Sequence, residues 1–293
     1  MKSSVKLEIK PVIAHWLYLP HWACCTVDAP GLTVLLKRHP PPQPNGALHI
    51  ARRCGFDLDQ SNTLWQLICE DFQHRWKSFN PQHLSVEVLA PKETIPSATD
   101  WAALIFGLYF GLNVLENQPF TLQQIERQAI HLAHQYAPEE ALAVAARCHG
   151  GLVANTLSEP LPYRKIYTTV GWYFVLLPYS ATVPPTRPNP QDNAALVSSF
   201  LLGAMTGDWH LIQSALQHSS ADLDLASNLP PLASIQNNSH FMGYHYDSRQ
   251  GCLIFLFNNK GVADEFRQAL ANNPSLQPFS RVVTLHPRGY EVY

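Results

Sequence analysis

Apolar and polar residues alternate along Leu84-Ser85-Val86-Glu87-Val88-Leu89, the period of a half-buried strand, and residues 101–115 are apolar almost throughout, predicting a helix buried on most sides. Between them lies a loop, residues 90–100, that contains no glycine. A strand, loop and helix in this order bring the free amides of a helix N-terminus to the end of a sheet, where the helix dipole favours an anion. Backbone that approaches a phosphate closely normally requires glycine, and the first one available here is Gly107, inside the helix.

The remaining pattern gives further elements. Residues 5–10 alternate as a strand, with Lys6, Glu8 and Lys10 on one polar, solvent-facing side, and residues 32–36 form a second clear strand. The proline-rich stretch 40–46 is a turn or stiff exposed loop. A helix capped by Ser61 or Asn62 places Leu64, Trp65, Leu67, Ile68, Phe72 and Trp76 on its buried side. Thr121 caps another through Gln124, with Ile125, Ala129, Ile130, Leu132 and Ala133 as its apolar set. Residues 163–177 read as two strands joined near Gly171, and residues 184–190, rich in proline, as a lid or interdomain loop. Helices follow at 192–202 and 208–217, then a strand at 253–257, a helix at 262–271 and a strand at 281–285. This order implies α+β architecture with helices packed on mainly antiparallel sheets.

With 293 residues, 46% hydrophobic and 14% charged, the chain can bury one large core or two ordinary ones. A net charge of −2 argues against a broad nucleic-acid surface or a polybasic membrane surface. The first residues, Met1-Lys2-Ser3-Ser4-Val5-Lys6, lack an apolar signal core, and no run approaches the ~20 apolar residues of a membrane span, so a cytoplasmic protein is expected. Six cysteines without a Cys-x-x-Cys pair read as reduced thiols. His15, His21, Cys24 and Cys25 match no standard metal-site spacing and read as part of an aromatic core segment. Cys148 and His149 are neighbours on a helix and point in different directions, so they read as a buried thiol beside an imidazole rather than a nucleophile and its base.

Several segments keep a common order over roughly residues 60–270: the apolar helix 102–113 ending in Asn113; Val144-Ala145-Ala146-Arg147-Cys148-His149-Gly150-Gly151; Phe174-Val175-Leu176-Leu177-Pro178 followed by Thr182 and Arg187; and the helix pair 192–212. Together they resemble the GHMP kinase superfamily, and homoserine kinase within it. The resemblance implies an α+β fold of two lobes, a GHMP-type N-terminal lobe over residues 1–156 and a ferredoxin-like C-terminal lobe over residues 157–293.

The chain departs from that family at its three motifs for ATP. The loop Pro-x-Gly-x-Gly-Leu-Gly-Ser-Ser-Ala is replaced by residues 90–100, and the Asn-, Gly- and Asp-rich first motif by Ala14-His15-Trp16-Leu17-Tyr18-Leu19-Pro20-His21-Trp22-Ala23-Cys24-Cys25. The third, Gly-x-Ser-Gly-Ser-Gly-Pro-Thr, is replaced by Gly243-Tyr244-His245-Tyr246-Asp247-Ser248-Arg249-Gln250-Gly251. The expectation is a homoserine-kinase-like protein that has lost phosphoryl transfer and binds a small metabolite or a protein partner. Its candidate ligand contacts are Arg187, His240, His245 and Arg249, with no cofactor and no metal. The alternative is an active ATP-dependent kinase acting on a homoserine-like hydroxyl. There Ser97, Thr99 and the first amides of the 101–115 helix would face the phosphates, Asp100 would hold Mg²⁺, and Arg187 would pair with a substrate carboxylate. Asp100 cuts both ways, because a carboxylate at a helix start stabilises the helix and competes with phosphate for the same amides.

Overall fold

The strand and helix that frame the loop form as their patterns predict, at Leu84–Leu89 and Trp101–Leu115. A computed structural model describes residues 3–18, 21–38, 47–93, 95, 100–136, 138–155, 163–169, 171–179, 190–219, 229–247 and 251–293. The chain divides into two compact units, each discontinuous in sequence. The first comprises Met1–Val12, Ala29–His149 and Arg288–Tyr293, the second Ile13–Asp28 and Gly150–Pro287.

In the first unit a five-stranded sheet runs in the order Tyr290–Val292, Ser4–Ile9, Leu32–Arg38, Leu84–Leu89, Ala47–Ile50. All neighbours are antiparallel except the last pair. Register sets Leu7 opposite Val34 and Val34 opposite Val88, so the alternating residues of three strands make one continuous apolar face. The Trp101–Leu115 helix lies on it. Gly107 and Gly111, one turn apart on the same side of that helix, meet the strands directly. A Cβ at Gly107 would stand 2.8 Å from Val34 Cγ2, and one at Gly111 2.4 Å from Leu36 Cδ1. Gly107 and Gly111 therefore serve helix-on-sheet packing. Helices Leu122–Tyr136 and Pro138–His149 cover the other side, which leaves residues 102–115 buried throughout.

Caps explain where these helices start and stop. Thr121 and Gln124 form the expected reciprocal pair, Thr121 N donating to Gln124 Oε1 at 2.8 Å and Gln124 N to Thr121 Oγ1 at 3.3 Å. The first helix begins earlier than its pattern suggests, at Leu58, because Asp57 is the cap and accepts from Gln60 N at 2.8 Å. Ser61 lies inside that helix and donates back to Asp57 O at 2.6 Å. Leu67 and Trp76, expected on the buried side, are exposed, and Trp76 follows the helix. Asn113 ends the central helix with a two-point clip: its amide donates to Phe120 O at 2.9 Å and accepts from Phe120 N at 3.0 Å. Lys10 is not the solvent-facing charge its strand position implies. It is 5% exposed, with Nζ 3.0 Å from Glu8 and 3.5 Å from Glu291, because the C-terminal strand pairs over this edge.

The second unit holds two four-stranded sheets. One runs Val12–Tyr18, His21–Thr26, Leu152–Asn155, Tyr163–Ile166; the other Phe241–Asp247, Cys252–Phe257, Tyr173–Pro178, Val283–Thr284. The two strands expected between residues 163 and 177 thus belong to different sheets. Cys252–Phe257 is buried at every position because helices lie on both faces of its sheet. Leu253, Phe255 and Phe257 join Val175 and Leu177 in a cluster with Leu232 and Phe266 of helices Pro230–Ile235 and Lys260–Ala271. On the opposite face Phe174 meets Trp172, whose ring lies 5.5 Å from Phe200 of helix Pro190–Thr206. Among the described residues no helix is long and apolar enough to cross a membrane.

All six cysteines are buried free thiols. Burial, with Glu70 adding to it, pushes the Cys69 thiol up to about 12, and burial together with Asp247 does the same for Cys252. A thiol protonated in the fold and ionised in the unfolded chain stabilises the fold fully below the ordinary thiol value and loses that contribution as pH climbs to the folded one. Stability is therefore expected to fall between about pH 9 and pH 12. Urea midpoints across that range, compared with a Cys69→Ala, Cys252→Ala variant whose profile should be flatter, check this.

Candidate functional site

The helix start at Trp101 is the place where the sequence would seat an anion. Its first-turn amides already have anionic acceptors from the protein. Asp100, the N-cap, accepts from Ala103 N at 2.7 Å, and Glu140 reaches across from helix Pro138–His149 to accept from Ala102 N at 3.0 Å. Leu104 N bonds to Asp100 O at 3.2 Å and begins the regular helix ladder. Two carboxylates in the positive field of a helix N-terminus are stabilised as a bound anion would be.

A carboxylate this buried requires a compensating charge, and for Asp100 Arg147 supplies it. Its guanidinium is fully buried and Nη2 lies 2.9 Å from the Asp100 carboxylate, while Nη1 donates to Ala143 O at 3.3 Å. Arg147 reaches this position because residues 141–146, a wholly apolar run, bury that helix against its neighbours. Glu140 and Arg147 bracket the run. The arrangement is an internal Asp–Arg pair and a second carboxylate closed over the helix start.

Of the residues singled out from sequence, Asp100 is the helix cap just described. Ser97 and Thr99, the other two of that set, and Arg187 and Arg249 lie outside the described residues. Trp101 packs with its ring 5.1 Å from that of Phe56. The segment from Gly243 forms a strand, Phe241–Asp247, rather than a ligand loop. Tyr244 and Tyr246 turn to the apolar cluster around Phe255, and His245 and Asp247 share the opposite, buried side with Gly243. His240, just ahead of the strand, is exposed and bonds through Nδ1 to Asn258 Oδ1 at 2.8 Å. Cys148 is buried, and His149 beside it pairs with Glu126 at 2.8 Å. Among the described residues no group of three or more His, Cys, Asp or Glu is placed to hold a metal. Glu140 and Arg147 were not anticipated as site residues. The available signal was their position at the two ends of an apolar helical run, where a buried charge must have a partner.

Comparison of the sequence with family models and with curated proteins gives no match. Solved structures do match over the full length. The chain is similar to homoserine kinase from Cytophaga hutchinsonii, with 16% identity, 100% of this chain and 98% of that one covered, and a TM-score of 0.76. Mevalonate pyrophosphate decarboxylase from Streptococcus pyogenes follows at 11% identity, 97% of each chain and a TM-score of 0.68. The mevalonate diphosphate decarboxylase of Enterococcus faecalis, for which an ATP-binding mechanism mediated by mevalonate diphosphate is described, matches at 10% identity, 99% and 98% coverage and a TM-score of 0.60. The fold is that of the GHMP kinases. In architecture the chain is similar to homoserine kinases.

Proposed function

We propose that this protein is a cytoplasmic GHMP-fold binding protein that has lost ATP-dependent phosphoryl transfer and works by holding a small metabolite or a protein partner. The observation that carries the reading is the occupation of the Ala102 and Ala103 amides by Glu140 and Asp100. A triphosphate seated there would have to displace two carboxylates from a helix N-terminus and break the buried Asp100–Arg147 ion pair. Mg²⁺ has a poor host in Asp100, whose negative charge is already shared between an amide and a guanidinium. These residues do not fit Mg-ATP, and no catalytic step is assigned to them. For the ligand, Arg187, His240, His245 and Arg249 remain the candidate contacts. Six free thiols suit a reducing compartment.

Thermal scans with Mg-ATP test the reading. A ligand at about a hundred times its dissociation constant stabilises by ~2.7 kcal/mol, which any scan resolves. No shift is expected. A shift present in the native protein and lost in Asp100→Ala would instead favour the active kinase. Scans with homoserine, threonine and their phosphates address the metabolite, and a stable co-purifying protein would favour the partner.

A further inference from the structure

The second unit contains a cavity of about 350 Å³ between helix Trp209–Ser219, the turn after Pro230–Ile235, and the edge strand Phe241–Asp247. Its polar lining is made by four carboxamides, Gln213, Gln217, Gln236 and Asn237, and its aromatic lining by Phe241 and Tyr244. Among the described residues no acidic or basic side chain lines it. A carboxamide offers two donor and two acceptor sites and carries no charge. None of the four makes a side-chain hydrogen bond to another described residue, so their capacity is open to a ligand. The strand that forms the floor is irregular at this point: its register with Cys252–Phe257 shifts between Phe241 and Gly243. Bulges of this kind recur beside binding sites because they re-aim side chains.

We infer that this cavity binds a neutral, polyhydroxylated small molecule of the saccharide or cyclic polyol class. Among the described lining residues a phosphate or carboxylate would find no cation to pair with, and a hydrocarbon would leave the amides without partners. Hydroxyl groups, which both donate and accept, match carboxamides, while the C–H face of a ring suits Phe241 and Tyr244. The volume falls within the ordinary range for small-molecule sites, ~300–1,000 Å³. The site lies wholly in the second unit and stands whether or not nucleotide binds to the first.

Saturation-transfer NMR on the full chain tests it, with glucose, maltose and myo-inositol as neutral probes and glucose 6-phosphate and homoserine as charged ones. At least one neutral probe is expected to bind saturably. Gln217→Ala and Gln236→Ala, both at exposed positions, should each weaken it at least about tenfold with the melting temperature unchanged. The charged probes should bind more weakly. Absence of transfer to every neutral probe up to millimolar concentration, tighter binding of glucose 6-phosphate than of glucose, or indifference to both substitutions would overturn the assignment.

Discussion

Arg147→Met is expected to lower the unfolding free energy by about 3–5 kcal/mol, a large part of the stability of an ordinary domain. Methionine keeps most of the volume in the apolar surroundings, so the loss is electrostatic. Asp100 would keep its bond to Ala103 N while losing the cation 2.9 Å away. The partner variant separates pair energy from the cost of an orphaned charge. If the Asp100–Arg147 interaction dominates, Asp100→Ala with Arg147→Met should be less destabilised than the sum of the two single changes. Urea unfolding gives all three values. A loss below about 1 kcal/mol for Arg147→Met would place the guanidinium among weak, solvent-screened pairs and remove the reason for its burial.

Gly289→Ala is the second large effect, also about 3–5 kcal/mol, and its origin is steric. A Cβ there would stand 1.9 Å from Arg147 O and 2.2 Å from Arg147 Cα, backbone atoms of a packed helix that cannot turn aside. Gly289 also presents its carbonyl to Lys10 N at 2.9 Å, at the point where the C-terminal segment joins the sheet edge. The next residue, Tyr290, packs its ring 4.3 Å from that of Phe110 on the central helix. Moving the segment to accommodate a methyl group would detach this strand and disturb the Arg147 backbone together. Hydrogen exchange should then report lost protection at Lys6 and Lys10, whose amides donate to Tyr293 O and Gly289 O across the sheet. Unchanged stability would mean that the C-terminal strand contributes little.

Much of this fold was legible because period and caps act over a few residues. The alternation at residues 84–89 and the apolar run 101–115 define a strand and a helix whichever neighbours they meet. Thr121 and Gln124 mark their helix start with side chains three residues apart. Ambiguity arose where local signals compete: Asp57, Ser61 and Asn62 can all cap, and the structure uses Asp57. The burial of Lys10 depends on Glu291 at the other end of the chain, which no local pattern reveals. Likewise the residues from Tyr244 to Tyr246 stand where the family's third motif would be, and only pairing with Cys252–Phe257 makes them a strand. Asp100 was legible as the residue at the helix start. Glu140 and Arg147, which decide what that helix start can do, come from another helix and meet it only in three dimensions.

A crystal grown with Mg²⁺ and a non-hydrolysable ATP analogue gives the most direct test. The expected electron density shows Ala102 N and Ala103 N still bonded to Glu140 and Asp100, Arg147 still against Asp100, and no triphosphate at the helix start. Phosphates seated on those amides, with Asp100 turned away toward a metal ion, would contradict the loss of phosphoryl transfer.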